Sequence, residues 1–243
     1  MLTFILLCLL VGAIVGFLAG LFGIGGGLVI VPTLVYLLPM MGIPDQMLMS
    51  TALGTSFATI VITGFSSAQR HHKLGNIEWS AVKVLAPMVM ISVFISGLFI
   101  GKLDREVSAK IFACLVVYLA AKMVISIKKS TGKTKPLTTQ ASVIGGILIG
   151  MASSAAGIGG GGFIVPFLNS RGIDIKKSIG SSAFCGALLG LSGMLSFMVS
   201  GWGNPSMPDY SLGYIYLPAV LGITATSFFT SKLGATATSK LPV

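Results

Sequence analysis

Two glycine clusters carry the chemistry of this chain. Gly23-Ile24-Gly25-Gly26-Gly27 interrupts a long apolar run, and Gly157-Ile158-Gly159-Gly160-Gly161 does the same in the second half. The offset of 134 residues holds from Gly23 to Leu34, through Pro32 and its counterpart Pro166. A short polar motif follows each cluster: Leu53-Gly54-Thr55-Ser56, then Ile179-Gly180-Ser181-Ser182. Clustered glycine breaks a helix, because glycine loses the most backbone entropy on ordering and adopts φ values closed to other residues. The sequence places the starts of the resumed helices at Leu28 and Gly162. Their first N–H groups lack an intrahelical partner, and the helix dipole is positive at that end. Two such ends facing each other bind an anion without any formal charge, and nearby hydroxyls add donors. The candidate substrate-binding residues are therefore Gly25, Gly26, Gly27, Thr55, Ser56, Gly159, Gly160, Gly161, Ser181 and Ser182. The bland alternative is that the glycines allow close helix packing and the hydroxyls bond back to their own helices.

Other chemistries fit poorly. No Asp or Glu falls in the middle of an apolar run, which argues against a carboxylate-built cation site or a buried acidic proton relay. No βαβ unit surrounds the glycines, and the lysine of a phosphate-binding loop is absent after them. The histidines, His71 and His72, fall in a stretch that reads as a solvated loop, so no Ser/His/Asp set lies within the spans. Cys8, Cys114 and Cys185 have no metal-ligand spacing and read as membrane-embedded residues. No catalytic residue, metal or cofactor is expected, and the chain does not read as an enzyme.

The elements that must hold the clusters are membrane helices. The chain of 243 residues is 54% hydrophobic and 9% charged, against roughly 25% charged in soluble domains. Runs of this length cross a hydrocarbon core about 30 Å thick. Spans are expected over Thr3–Phe22 (resuming Leu28–Met40), Met49–Phe65, Ala81–Gly101, Val107–Ile127, Ala141–Ala156 (resuming Gly162–Leu168), Ser178–Ser200 and Tyr210–Ser231. The chain thus divides into a first transmembrane repeat over 1–127, a polar linker over 128–140 and a second repeat over 141–243. The second repeat stops where a counterpart of Val107–Ile127 would begin, so its last helix is expected to be missing. Gly12, Gly16 and Gly20 keep the four-residue spacing that brings helices close together.

Charge sets the orientation. If each broken helix returns to the side it came from, the loops at 70–73, 128–135, 171–177 and 232–240 share one face. They hold eleven basic residues, against Lys102 and Arg105 on the other. The positive-inside rule puts the basic face, with the 128–140 linker, in the cytoplasm and the N-terminus outside. The net charge of +10 then serves topology rather than nucleic-acid binding. Each half makes an odd number of crossings, so the fold expected is all-α, polytopic and built of two inverted repeats. The glycine breaks meet near the midplane, as in secondary transporters.

At these residues the chain resembles the sulfite exporter TauE/SafE family, also known as the 4-toluene sulfonate uptake permeases. The resemblance rests on GLFGIGGGLVIVPTL at 20–34, SAAGIGGGGFIVPFL at 154–168, ALGTS at 52–56 and IGSS at 179–182. It implies a secondary transporter moving sulfite, thiosulfate or organosulfonates across a prokaryotic plasma membrane. Family members commonly have about eight spans, one more than this chain shows. The partners implied are a small sulfur-containing anion, the lipid bilayer and, in a coupled transporter, a second ion; self-association is compatible with them. An anion channel and a non-transporting membrane scaffold are the alternatives in other functional classes.

Overall fold

In hydrocarbon every backbone polar group must be satisfied internally, so apolar runs of this length form helices. A computed structural model describes residues 2–127 and 136–240. Its helices are α1 (Leu2–Phe22), α2 (Gly27–Leu37), α3 (Leu48–Lys73), α4 (Trp79–Ile100) and α5 (Arg105–Ile127), followed by α6 (Thr139–Ala156), α7 (Gly161–Ser170), α8 (Ile175–Ser200) and α9 (Leu217–Lys240). There is no strand among the described residues. Residues 128–135 of the linker lie outside them.

The run of hydroxyls and carbonyls between helices gives their directions. Ser192, Ser196 and Ser200 of α8 donate in successive turns to the carbonyls of Met90, Phe94 and Leu98 on α4, at 2.6, 2.9 and 3.3 Å. Only parallel helices keep such a constant register. Helices α1 and α9 are also parallel: Gly12 lies on Ile223, Gly16 on Ser227 and Gly20 on Ser231, each too close for a Cβ. In the same sense, Gly146 of α6 lies on Met88 of α4, and Gly150 lies on Ser92. Ser66 of α3 donates to the Phe228 carbonyl of α9 at 2.6 Å, and Arg70 Nε donates to Thr236 Oγ1 at 2.9 Å. The central pair runs the other way. Gly64 of α3 lies on Ala187, Gly190 of α8 on Ile60 and Val61, and Gly193 on Phe57, so α3 and α8 are antiparallel.

The bundle is consequently a row, α1–α9–α3–α8–α4–α6, with α2 against α3, α7 against α8, and α5 against α6 and α7. Each outer helix packs on a helix of the other repeat, and only the seam between α3 and α8 joins equivalent helices. That seam forms the core: Leu53, Phe57, Ile60, Leu189 and Phe197 are fully buried there.

Among the described residues, five helices are long and apolar enough to cross a membrane: α1, α3 with its preceding turn, α4, α6 and α8. Helix α9 is not among the five. Its hydroxyls are accommodated instead by carbonyls, Thr226 donating to Leu9 of α1 at 2.7 Å and Thr238 to Leu21 at 2.7 Å.

Several boundaries differ from the sequence reading; α9, for one, runs on to Lys240 rather than ending at Ser231. The short helices start one residue earlier, at Gly27 and Gly161, because Gly26 and Gly160 take the left-handed conformation (φ 81° and 77°) that sets each entry. The stretch 210–216 is not helical; an isolated bridge between Ser211 and Tyr216 folds it back before α9. Helix α3 continues to Lys73, so both histidines are helical, and His71 is fully buried rather than solvated. Its Nε2 lies 3.2 Å from the Gly20 carbonyl, which ties the end of α3 to the end of α1. Polarity alone made that stretch look like a loop.

Close approach at Gly16 gives a direct test. A side chain there collides with the Ser227 backbone and Thr230, and overpacking of this kind costs about 1–3 kcal/mol. Gly16→Val is expected to lower the melting temperature in detergent by roughly 2–10 °C. Leu10→Val, on an exposed face of α1, should leave it almost unchanged. Equal melting of the two variants would contradict the packing.

Candidate functional site

The two glycine breaks touch. A Cβ on Gly25 would lie 2.9 Å from the Gly159 Cα, and one on Gly159 would lie 3.0 Å from the Gly25 Cα. Around this contact the pairs are reciprocal: Gly27 presses on the Gly157 carbonyl, and Gly161 presses on the Gly23 carbonyl. The contact sits beside Ile60, at the middle of α3, and Gly186 of α8. Gly26 packs on Val15, and Gly160 on Ile164 and Leu189. Glycine is required at Gly25 by space as well as by conformation, and at Gly27 by space.

The hydroxyls are exchanged in the same way. Ser56 Oγ donates to the Gly157 carbonyl at 2.8 Å, and Ser182 Oγ donates to the Gly23 carbonyl at 3.1 Å. Each serine thus holds the glycine break of the other repeat. Thr55 and Ser181 turn away from the breaks. The Tyr216 N–H, at the entry to α9, donates to Thr55 Oγ1 at 3.0 Å; the Glu78 N–H, at the entry to α4, donates to Ser181 Oγ at 2.8 Å. All four hydroxyls are buried, and all four are engaged with backbone. Ser56 and Ser182 commit their O–H donors to the opposite break, whereas Thr55 and Ser181 act here as acceptors; all four bonds cross between repeats rather than returning to their own helices.

The backbone N–H groups remain. Val29 and Ile30 return their N–H groups to the Gly26 carbonyl, and Phe163 and Ile164 return theirs to Gly160. Among the described residues the N–H groups of Gly26, Gly27, Gly160 and Gly161 have no hydrogen-bond acceptor. A left-handed residue followed by a helical one presents its successive N–H groups to one side, a concavity suited to anions.

Space around the breaks is unequal. At the contact itself there is only a gap of about 10 Å³, lined by Gly23, Gly25, Gly159 and Ser67, room for one water-sized molecule. Ser67 Oγ is buried there without a partner. Leu53 and Val31 pack against Gly157, as Ile179 packs against Gly23. The N-terminus of α7 opens on a cavity of about 390 Å³ lined by Phe22, Ile24, Lys122, Val165, Asn169 and Ile179, among others. Lys122 was missed by the sequence reading. Its signal was a basic residue deep in the apolar run 107–127, which holds only one other, Lys110 near its start; an ionisable side chain there is costly unless it has a use.

With that geometry in place, comparison with known proteins decides the family. The family described as "Sulfite exporter TauE/SafE" matches residues 8–243.

The chain belongs to the sulfite exporter TauE/SafE family. It is therefore a multi-pass membrane transporter and not an enzyme. A protein named "Probable membrane transporter protein" from Haemophilus influenzae is 82% identical over the whole chain and 92% of its own length. A probable membrane transporter protein of Methanocaldococcus jannaschii, MJ0441, is 30% identical over 97% of the chain and 86% of its own length. YunE of Bacillus subtilis, also named a probable membrane transporter protein, is 28% identical over 98% and 90%. No solved structure matches.

The basic face of this TauE/SafE protein carries one ion pair that binds the two repeats. Lys177 Nζ lies 2.9 Å from Glu78 Oε2, and Ser80 donates to Oε1 at 2.8 Å. Lys177 first, then Ser80, holds the Glu78 carboxyl below the usual glutamate range. A carboxyl held low in the folded state stabilises the fold above its unfolded pKa of about 4.3. That contribution is lost as pH falls through the lowered folded value. Both groups are partly exposed, so solvent screening keeps the effect small. Glu78→Gln is expected to flatten the acid limb of the melting temperature below about pH 5. An acid limb as steep as the wild type's would show that the pair contributes nothing.

Proposed function

We propose that the chain moves a sulfur-containing anion across the plasma membrane by alternating access, with the two glycine breaks as the substrate site. The observation that carries this reading is the contact of the breaks, each with free N–H groups and each held by a serine of the other repeat. In this reading Gly25, Gly26, Gly27, Gly159, Gly160 and Gly161 offer N–H donors to the anion. Ser56 and Ser182 keep the breaks in shape, and Thr55 and Ser181 fix the neighbouring helix entries.

The two repeats are taken as inverted in the membrane, which the antiparallel course of α3 and α8 supports. Following the helices from there, Arg70, Lys73, Arg171, Lys176, Lys177 and Lys240 fall at one end of the bundle, and Lys102 and Arg105 at the other. Positive charge at the first end favours a cytoplasmic location for it, with the N-terminus outside. The open cavity beside α7 then faces the cytoplasm. Motion of α1, α9 and α3 against α8, α4 and α6 would exchange the two openings.

Two measurements test this. Purified full-length protein in proteoliposomes should show saturable counterflow of radiolabelled sulfite or thiosulfate. A large non-saturating flux without counterflow indicates a channel, and absence of both flux and binding indicates a scaffold; either defeats the proposal. For orientation, a cysteine at Lys73 should resist a membrane-impermeant thiol reagent in intact cells and react once the membrane is opened. Reaction in intact cells would reverse the topology.

A further inference from the structure

We infer that Lys122 and the apolar cavity around it form a binding subsite for an organic anion with an apolar body, an inference that rests on the anion-transport reading above. Three observations converge on it.

First, Lys122 has no countercharge among the described residues. It makes no ion pair among the described residues, and its one charged-group contact is with the face of Tyr118 on its own helix, 5.8 Å from the ring centroid. The chain has six acidic residues, and residues 123–135 include none of them. Asp45, Asp104 and Glu106 line a separate cavity around the α4–α5 turn, and Asp209 lies in the 201–216 segment beyond α8, which ends near them. On the side of Lys122, Glu78 is paired with Lys177, and Asp174 accepts the N–H groups of Lys176 and Lys177 at the start of α8. No carboxylate lines the cavity. Lys122 thus faces a cavity that offers it no carboxylate, and an anion from outside the chain can take that place.

Second, the walls select the ligand's body. Phe22, Ile24, Val165, Pro166, Ile175 and Ile179 make them almost wholly apolar. A small, strongly hydrated oxyanion gains nothing from such walls and loses its water. An anion carrying an alkyl or aryl body gains from burying it, at about 0.8 kcal/mol per methylene. The volume, about 390 Å³, lies in the range of small-molecule sites.

Third, polar groups from both ends of α7 line the cavity. Asn169 and the start of α7 at Gly161 and Gly162 line the same cavity as Lys122. A headgroup held by Lys122 would therefore lie in the space that leads to the breaks. The cavity is asymmetric, because α5 has no counterpart among the described helices of the second repeat.

The test uses the full chain in a non-ionic detergent, with binding of 1-hexanesulfonate, hexanoate, sulfite and thiosulfate followed by calorimetry. Hexanesulfonate and hexanoate are expected to bind more tightly than sulfite or thiosulfate. Lys122→Gln should weaken both organic anions by about 10- to 100-fold, the effect of losing a charge-assisted hydrogen bond, whereas Lys122→Arg should retain most of the affinity. Val165→Trp, which fills the cavity without touching the charge, should weaken the organic anions and spare the inorganic ones. Unchanged affinity in Lys122→Gln, or inorganic anions binding the wild type as well as organic ones, overturns the subsite and leaves transport standing. Failure of the wild type to bind any of the four overturns the transport reading itself. As a last arm, vesicles containing phosphatidylglycerol should not abolish hexanesulfonate binding; full displacement by that lipid would make the cavity a lipid site and overturn the inference.

Discussion

Everything in this bundle depends on two backbones approaching with no side chain between them. Gly25 against Gly159, Gly27 against the Gly157 carbonyl and Gly161 against the Gly23 carbonyl leave no room for a methyl group. That contact lets two interrupted helices meet at the centre of α3 and α8. It also explains why the breaks are glycine throughout rather than merely flexible: three different positions require the missing Cβ, and Gly26 and Gly160 additionally require a left-handed backbone. Ser56 and Ser182 then fasten each break to the repeat it does not belong to.

Much of this was legible in the sequence because a repeat is written in residue identities. The offset between Gly23 and Gly157, and between Thr55-Ser56 and Ser181-Ser182, located the breaks and the helices beside them. The membrane class followed from composition, and Gly12, Gly16 and Gly20 make the close helix packing their spacing implied, with α9 as the partner that the structure supplies. Partners were not legible. Nothing local in Ser56 states that its hydroxyl will reach a carbonyl of the second repeat, and the polar run around His71 looks like a loop until α1 is placed over it. Lys122 escaped for a related reason: a lysine deep in an apolar run gains meaning only when the surrounding acidic residues are seen to be engaged elsewhere.

The family assignment agrees with the motifs, and the structure adds where the motifs act. The glycine contact is closed to anything larger than water, whereas α7 opens on a cavity. The two halves differ at identifiable residues. Gly162 lies opposite Leu119 of α5, and the first repeat has Leu28 at the equivalent position.

The parallel pairing of α1 with α9 has a consequence for how the chain is made. Helix α1, the first described one, lies in the finished protein along the last described one. Until α9 is synthesised, the glycine face of α1 has no mate and rests against lipid. α1 is the most apolar of the five membrane-crossing helices, so it can wait there at little cost. Helix α9 returns most of its hydroxyls to carbonyls one turn back and hands Thr226 and Thr238 to carbonyls of α1. A chain that stops short of α9 therefore leaves the glycine face of α1 without its partner helix.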